Sequence, residues 1–469
     1  MYDKIYDVCI IGAGASGLVA AIESSRRGLS CVVVDKNKKP GMKLYSTGNG
    51  RCNLTNDKWE EDDYYGNIFA DMVFGSLYKK TGKHPRAFIL EYFKHLGINT
   101  TSKDGYIYPS SMQASSVVWA LLDAARLGGV EIVSKFTVEH LALYNSSNNQ
   151  IFDESYDSYS HSYGYDARIY AADNYNTESI YLIKGLKSVD DTIQEATVFA
   201  RNVILATGGL SQTKLGSASK EGLEKLLMDT RVPYRDFVSC LCPVETEENL
   251  TALDGVRSKI RMTVNGKSEN GELQINKKGL SGIVTFNMSY YMNPGTEVFI
   301  NLLPSVNEES FVEHFEIIRM LYPDKTLLAF LNGYINDKLA LYMINKFFGF
   351  IASPDGKKPE FKLSEVTDIG IRGIFEEMTN WRLIVQNRVG FDSSQASDGG
   401  IIMGVIDSDT MHIDVSSSLG SNLYAVGEVT DVIGKCGGYN LTYAFVTGYL
   451  AGNAIPSFDN SPMTQNTLF

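Results

Sequence analysis

The sequence predicts an α/β protein in which both ends of the chain build one domain around a parallel sheet, while the middle of the chain forms an inserted region. Two observations predict this class. A strand, a glycine-rich turn, a helix and a second strand follow one another within residues 6–35, and a similar strand, loop and helix return from residue 423 onward. Between about residues 211 and 385 this alternation is lost, which indicates an insertion.

The first strand and turn lie at the start of the chain. Tyr6–Ile11 is a short apolar run typical of a buried parallel strand, and Gly12 allows a sharp turn out of it. Gly14 leaves the backbone open to a phosphate, and Gly17 allows the next helix to pack against the strand. That helix, which we expect to end near Gly28, offers free N–H groups and the positive end of its dipole to an anion.

An acidic residue completes this motif. The apolar run Cys31–Val34 predicts the second strand, and Asp35 ends it eighteen residues after Gly17. At that spacing a carboxylate accepts hydrogen bonds from the ribose hydroxyls of a dinucleotide, and it disfavours a 2′-phosphate. A plain β-turn-α unit is the alternative, but the strand before, the helix after and the acid at this distance favour a dinucleotide site.

Composition limits the class of partner. The chain has 469 residues, enough for two or three modules. Of these residues, 44% are hydrophobic and 21% are charged, as in a globular protein. Its net charge of −12 argues against a nucleic-acid surface, because phosphate binding needs a concentrated basic face. With no signal-like segment and no apolar run of spanning length, we expect a cytoplasmic protein that acts on a small molecule, without a membrane partner.

The cysteines and histidines predict neither disulfides nor a metal site. The six histidines form no ligand cluster, and the six cysteines include no C-x-x-C pair. Those within the predicted strands are most simply small core residues. The cysteines are Cys9, Cys31, Cys52, Cys240, Cys242 and Cys436.

A second glycine-rich segment, residues 41–56, follows the acid. Its glycines and asparagines predict an ordered loop rather than a helix. An exposed turn is the simplest alternative. The many N–H donors, together with Lys43 and Arg51, favour contact with an anion or a heteroaromatic ring of the same ligand.

The centre of the chain is more varied. Residues 115–129 have helical spacing and end at glycine, and residues 130–144 are strand-like. Residues 145–179 are rich in Tyr, Ser, Asn and Asp and poor in aliphatic side chains, which predicts a long solvated hairpin tip or an insertion. Within 211–385, short strand-like pieces precede helical segments around 308–348.

Two further strand ends carry glycine-rich turns. Residues 195–211 contain a buried strand that ends in the small-residue turn 206–209, at the edge where open α/β sheets bind ligands. Near the C-terminus, a strand at Leu423–Val426 is followed by Gly427 and Glu428, a glycine-rich loop, and a helix that we expect to start at residues 439–441.

Glycine-bearing strand ends so far apart in sequence imply one extended ligand. NAD needs mainly the first motif and its acid, whereas FAD also brings its isoalloxazine ring to a distant helix N-terminus. An acid after the strand "LYAVGE", Glu428, suits the ribityl hydroxyls of FAD. FAD is therefore the better fit.

These motifs also resemble a known family. "GAGASG" with Asp35, "STGNGRCNLTN", "ATGGLS", "GLSG" at 279–282, "DTMHI" at 409–413 and "GEVTDVIGKCGGYNLTYA" are similar to those of the BaiN-like, or aminoacetone-oxidase-like, flavoproteins, a group with two dinucleotide-binding domains. The resemblance spans nearly the whole chain.

The resemblance implies a glutathione-reductase-type, Rossmann-like FAD-binding domain from both chain ends, 1–210 and 386–469, and a substrate region at 211–385 that contains a small β-barrel and helices. Together with the patterns above, it predicts a set of cofactor-binding residues. They are Gly12, Gly14, Ala15, Ser16, Gly17, Asp35, Lys36, Lys43, Gly48, Asn49, Arg51, Cys52, Asn53, Val138, Ala206, Thr207, Gly208, Gly427, Glu428, Gly438, Tyr439, Asn440 and Leu441.

The predicted function is an FAD-dependent oxidoreductase. The leading hypothesis is an NAD(P)H-linked reductase of an activated double bond in a small organic or steroid-like molecule, with Tyr439 as candidate proton donor. Because family members are associated with bile-acid reduction and with amine oxidation, a flavin-dependent amine oxidase is an alternative. A flavin-binding sensor or scaffold without turnover is an alternative of another class.

Two other flavoprotein types fit less well. A disulfide reductase needs a redox cysteine pair at the flavin, and Cys52 has no near partner in sequence, although Cys436 lies in the other predicted flavin loop. A tRNA-modifying flavoprotein is related in fold, but the net charge of −12 argues against it.

Overall fold

The computed structural model describes residues 4–60, 63–65, 68–145, 150–152, 179–189, 192–349, 360–414 and 422–457. Most of the predicted polar insertion, residues 146–149 and 153–178, lies outside these ranges. The chain divides into two compact units, one of residues 1–238 and 397–469 and the other of residues 239–396. The bounds at 210 and 385 suggested by the sequence stay predictions.

The described ranges alternate between helices and strands. The helices are α1 (Ala15–Arg26), α2 (Met42–Gly50), α3 (Ile68–Thr81), α4 (Pro85–His95), α5 (Ala114–Leu127), α6 (Lys220–Thr230), α7 (Ile283–Met288), α8 (Glu308–Leu321), α9 (Leu327–Leu331), α10 (Asp337–Phe348), α11 (Asp368–Thr379) and α12 (Tyr439–Ala454). The strands are β1 (Ile5–Ile11), β2 (Cys31–Asp35), β3 (Thr55–Asn56), β4 (Thr100–Lys103), β5 (Tyr106–Pro109), β6 (Glu131–Ser134), β7 (Phe136–Asn145), β8 (Gln150–Phe152), β9 (Ser179–Val189), β10 (Thr192–Leu205), β11 (Tyr234–Cys240), β12 (Val244–Thr246), β13 (Arg257–Val264), β14 (Lys267–Asn276), β15 (Gly279–Ser281), β16 (Glu297–Asn301), β17 (Trp381–Arg388), β18 (Ala396–Ile401) and β19 (Leu423–Ala425).

The first unit is built on a sheet of order β6-β2-β1-β10-β9-β7-β8, with β19 also paired to β10. Strands β6, β2, β1, β10 and β19 are parallel, and β9, β7 and β8 extend the sheet in antiparallel fashion. Every residue of β2 is buried, as expected for a strand covered on both faces. The predicted α/β class with a Rossmann-like domain is confirmed.

Both chain ends meet in this unit. Strand β19 pairs with β10 through Val203 and Leu423, and α12 packs against α1. The close approach depends on small residues, because a Cβ at Gly448 would lie 2.3 Å from the carbonyl oxygen of Ser16. The C-terminal helix is therefore held against the helix that follows the first strand.

The second unit contains a closed barrel of order β12-β15-β14-β13-β16-β17. Its core is continuous with the apolar faces of the neighbouring helices: Met262 and Trp381 of the barrel belong to the same buried cluster as Phe311 and Phe315 of α8. The predicted small β-barrel with helices is confirmed.

The prediction of a loop without helix at residues 41–56 is wrong for its first part. A short helix begins after Gly41, and its backbone leaves helical geometry only at Thr47, Gly48 and Asn49. The reason is local: after the N-cap Gly41, the glycines and asparagines of the segment all follow Thr47, and Gly48 and Asn49 have φ of 57° and 56°. Among the described residues, no α-helix has both the length and the apolar character needed to cross a bilayer.

Candidate functional site

The first and third glycines of the N-terminal motif are required by close packing. A Cβ at Gly12, whose φ is +112°, would lie 2.3 Å from the carbonyl oxygen of Ala206. A Cβ at Gly17 would lie 2.0 Å from the carbonyl oxygen of Gly12. These contacts bring β1, α1 and the end of β10 together, as the spacing predicts.

Gly14 differs from its neighbours. It is the N-cap of α1, and among the described residues no side chain caps that helix. Apart from its two neighbours in the chain, none of these residues has a heavy atom within 4 Å of the position that a Cβ would take. Ala15 and Ser16 continue the first turn, so the free N–H groups of the helix start border an open space. This cradle fits the diphosphate of a dinucleotide.

Asp35 lies at the end of β2, beside this cradle. Its Oδ2 accepts a hydrogen bond from the Ala13 N–H at 2.7 Å, and its Oδ1 accepts one from the Asn37 N–H at 2.7 Å. Burial raises the pKa of the Asp35 carboxyl, although both backbone donors favour its charged form. Lys36 donates to the carbonyl oxygen of Ser217. The predicted site residue Val138 lies in β7, paired with Gly185.

Glu428 forms the polar centre of the site. Its Oε1 accepts hydrogen bonds from the Ser397 N–H at 2.9 Å and from the hydroxyls of Ser397 and Ser211 at 3.0 Å. Its Oε2 pairs with Lys43 Nζ at 3.2 Å. Burial opposes the charge, yet Lys43 and the hydroxyl and N–H donors hold the pKa of the Glu428 carboxyl below its ordinary value. Oε2 has fewer partners and can still accept from a ligand hydroxyl.

The small-residue turn after β10 lies beside this carboxylate. Ala206 donates its N–H to the carbonyl oxygen of Ile11, and Thr207 precedes Gly208 in the turn. A Cβ at Gly208 would lie 3.8 Å from both Glu428 Oε2 and Lys43 Nζ. The charged pair therefore lies at the carboxyl edge of the parallel strands, where such sheets bind ligands.

The segment after α2 contains three of the predicted site residues. Cys52 has a φ of 59° and a fully buried thiol, and burial raises its pKa to about 12. Asn53 is 7% exposed, and its Oδ1 has no hydrogen-bond partner in the described part of the chain. A buried acceptor without a donor is costly, so it fits a site that a ligand donor completes. Arg51 is exposed.

The start of α12 packs on this segment. Gly438 has a φ of +95°, and a Cβ there would lie 2.8 Å from the Cα of Thr55. The Asn440 carboxamide braces the preceding loop, accepting from the Gly434 N–H and donating to the Gly434 carbonyl oxygen, both at 2.8 Å. Leu441 is half-buried in the first turn. Gly427 donates its N–H to Thr447 Oγ1 at 3.0 Å, which joins β19 to α12.

The side chain of Tyr439 is buried, and its hydroxyl is already hydrogen-bonded within the protein. It is 5% exposed, its ring packs edge-on against Trp59 at 5.7 Å, and its hydroxyl donates to the carbonyl oxygen of Lys58 at 2.9 Å. Burial and the nearby carboxyl of Asp63 raise the pKa of its phenol well above the ordinary range. The proton-donor role of Tyr439 stays a prediction.

We expect Tyr439→Phe to act on stability. The variant loses the bond to the Lys58 carbonyl, which should cost about 1 kcal/mol of unfolding free energy, measured by urea denaturation. The rate of substrate reduction should stay within about twofold of the wild-type rate. Such a change in activation free energy is far below the roughly 1.4 kcal/mol that a tenfold change needs. A fall of about a hundredfold in rate at unchanged stability would instead support the proton-donor role.

The structure thus brings together predicted residues from both chain ends in one unit. Among the described residues, Val138 is not one of the hydrogen-bond or ion-pair partners of Glu428. Sequence reasoning missed Ser211 and Ser397, which hold Glu428. Ser211 ends the quoted "ATGGLS" motif and could have been included. Ser397 carries no local signal, since it is linked to Glu428 only through the fold.

A family model described as the HI0933-like protein Rossmann domain matches residues 6–162 and 168–454. The chain belongs to the HI0933-like family. Members of this family are FAD-binding proteins of Rossmann type, and the resemblance inferred from the sequence motifs is confirmed. This HI0933-like protein is a flavin-dependent oxidoreductase.

Two kinds of relative of this HI0933-like chain match nearly full length. It is 29% identical to the 3-dehydro-bile acid delta(4,6)-reductase of Clostridium scindens, covering 95% of this chain and 98% of the relative. It is 26% identical to the ribosomal RNA dihydrouridine synthase of Haemophilus influenzae, covering 95% of this chain and 97% of the relative. The Escherichia coli ribosomal RNA dihydrouridine synthase is 25% identical, with 95% and 96% covered.

Proposed function

We propose that this protein is an NAD(P)H-linked flavin reductase of a carbon–carbon double bond activated by a carbonyl group, in a small organic or steroid-like molecule. The observation that carries the proposal is the near full-length similarity to a bile-acid delta(4,6)-reductase. The site supports it through the open cradle at Gly14 and the unpartnered acceptor of Asn53, which fit FAD.

Each part of the site has a role in holding FAD. The N-terminus of α1 at Gly14 binds the diphosphate, Asp35 the adenosine ribose, and Glu428 the ribityl hydroxyls. The N-terminus of α12 stabilises negative charge on the ring system. When bound, FAD supplies the hydride that reduces the double bond. The Asn53 acceptor would take a hydrogen bond from the ring, and the start of α12 would help to orient it.

A second candidate is reduction of uridine in RNA. The two dihydrouridine synthase relatives favour it, and the double bond lost in dihydrouridine is also conjugated to a carbonyl, so both candidates share one reaction class. The net charge of −12 favours the small molecule, because an RNA substrate has to be held through its phosphates.

An anaerobic experiment distinguishes these candidate functions. The purified protein should contain FAD, lose its yellow colour with NADH or NADPH, and regain it when a 3-keto-4-ene steroid is added. Recovery with an unmodified ribosomal RNA transcript, and not with the steroid, would favour uridine. Rapid recovery in air together with reduction by an amine would favour the oxidase. Failure of NADH and NADPH to bleach the flavin would contradict the reductase and favour a sensor.

A further inference from the structure

Strand β5 carries two tyrosines along both predicted flavin loops. A Cβ at Gly48 would lie 3.3 Å from Tyr108 Cε1, and a Cβ at Gly437 would lie 3.0 Å from Tyr106 Cε1. The same Gly48 position is 3.0 Å from the Asn53 N–H nitrogen. Tyr108 therefore borders the segment that holds the unpartnered Asn53 acceptor.

The hydroxyl of Tyr108 is available, unlike that of Tyr439. Tyr108 is half-buried, and within the described ranges its phenol makes no hydrogen bond, whereas the Tyr439 hydroxyl is bound to a backbone carbonyl. Arg51 belongs to the turn that borders this tyrosine, because its N–H donates to the Gly48 carbonyl oxygen at 3.3 Å. Burial raises the pKa of the Tyr108 phenol, and the charge of Arg51 opposes that rise. Arg51 itself forms no ion pair within the described residues.

A proton donor is needed because reducing a conjugated double bond adds one hydride and one proton. Hydride addition at the β-carbon leaves an enolate, which then takes a proton at the α-carbon. Two other acidic groups on these loops are less accessible: the Cys52 thiol is fully buried, and the Tyr439 hydroxyl donates to a backbone carbonyl. Tyr108 combines a free hydroxyl with partial exposure, so it can recover a proton from water.

We propose that Tyr108 is the catalytic residue that hydrogen-bonds the substrate carbonyl and then gives its proton to the α-carbon, and that Arg51 is a positioning residue for this phenol. In this step the O–H bond of Tyr108 breaks, a C–H bond forms at the substrate, and the phenolate is reprotonated by solvent. The inference rests on the proposed function, since it needs a substrate with a conjugated carbonyl.

The first test measures binding of an enone in the absence of turnover. Cyclohex-2-enone labelled with ¹³C at the carbonyl is added to the oxidised, FAD-loaded protein. The wild type should move the carbonyl resonance downfield, Tyr108→Phe should abolish this shift, and Tyr78→Phe, a surface variant on α3, should retain it. Tyr108→Phe should keep the wild-type melting temperature, because no protein hydrogen bond is lost. Equal shifts in the wild type and Tyr108→Phe overturn the inference.

The second test measures the rate of enone reduction and the effect of substitutions at Arg51. Tyr108→Phe should reduce the enone about a hundredfold more slowly at unchanged FAD affinity. Arg51→Lys should keep most of the carbonyl shift and Arg51→Gln should lose most of it, which a merely structural role would not produce. If the wild type neither shifts nor reduces the enone, the proposed function fails. If it does both and Tyr108→Phe does them equally, only the tyrosine assignment fails.

Discussion

Gly14→Ala is expected to lower the affinity for FAD about 10- to 100-fold while leaving the fold intact, an effect of about 1.4 to 2.8 kcal/mol on binding. The backbone at Gly14 is extended, with φ of −85°, so alanine is not strained there. In the described part of the chain, only the two adjacent residues have heavy atoms within 4 Å of the new methyl group, which therefore enters the cradle itself. Fluorescence titration of the apoprotein with FAD measures the change.

Gly17→Ala is the matched control, and the opposite result is expected. Alanine favours a helix over glycine, so helix propensity alone predicts a gain in stability. The new Cβ would however lie 2.0 Å from the Gly12 carbonyl oxygen, and relieving that overlap should cost about 3 kcal/mol or more. Thermal unfolding of the Gly14→Ala and Gly17→Ala apoproteins distinguishes a loss of FAD affinity from a loss of stability. If Gly14→Ala melts early and binds FAD normally, the cradle assignment is wrong.

Lys43→Met is expected to destabilise the protein by about 1 to 2 kcal/mol at neutral pH and to weaken FAD binding about tenfold or more. The variant leaves the Glu428 Oε2 without its cation, and both side chains of the pair are largely buried, 30% and 24% exposed. The Oε1 contacts with Ser211 and Ser397 remain. The carboxylate then loses the orientation that presents Oε2 to a ribityl hydroxyl.

The pH dependence identifies the cause of the Lys43→Met effect. In the wild type the pKa of Glu428 is below its unfolded value, so its charge stabilises the fold above a pH of about 4.3, and this contribution is lost as the pH falls through the folded pKa. The stability gap between wild type and variant should therefore be larger at pH 7 than at pH 4. Urea denaturation at both values measures it.

The exposed pair of Lys83 and Glu91 provides a control for that measurement. Their side chains are 39% and 42% exposed at a separation of 2.6 Å. Lys83→Met should cost no more than about 1 kcal/mol, because solvent screens such pairs. If the difference in unfolding free energy between the wild type and Lys43→Met is equal at pH 4 and pH 7, lost packing explains the effect rather than the charge of Glu428.

Local features could be predicted from the sequence, because they depend on residues that are adjacent along the chain. The strand, turn and helix around Gly12, Gly14 and Gly17 follow from local sterics, and so does the start of α12 at Tyr439. The strand, glycine-rich loop and helix at both chain ends also predicted one shared domain, because glycine-bearing strand ends meet at the ligand-binding edge of a parallel sheet. The loop prediction at 41–56 failed where composition was averaged over a segment whose first half lacks helix breakers.

The sequence could not predict which polar atoms are already hydrogen-bonded within the fold. Lys43 and Glu428 are 385 residues apart, so their ion pair follows from the pairing of β19 with β10 rather than from either motif. The enclosure of Tyr439 and the free phenol of Tyr108 likewise depend on how distant segments pack. The physical reason is that hydrogen bonding and desolvation are set by neighbours in space, whereas glycine geometry and hydrophobic period are set along the chain.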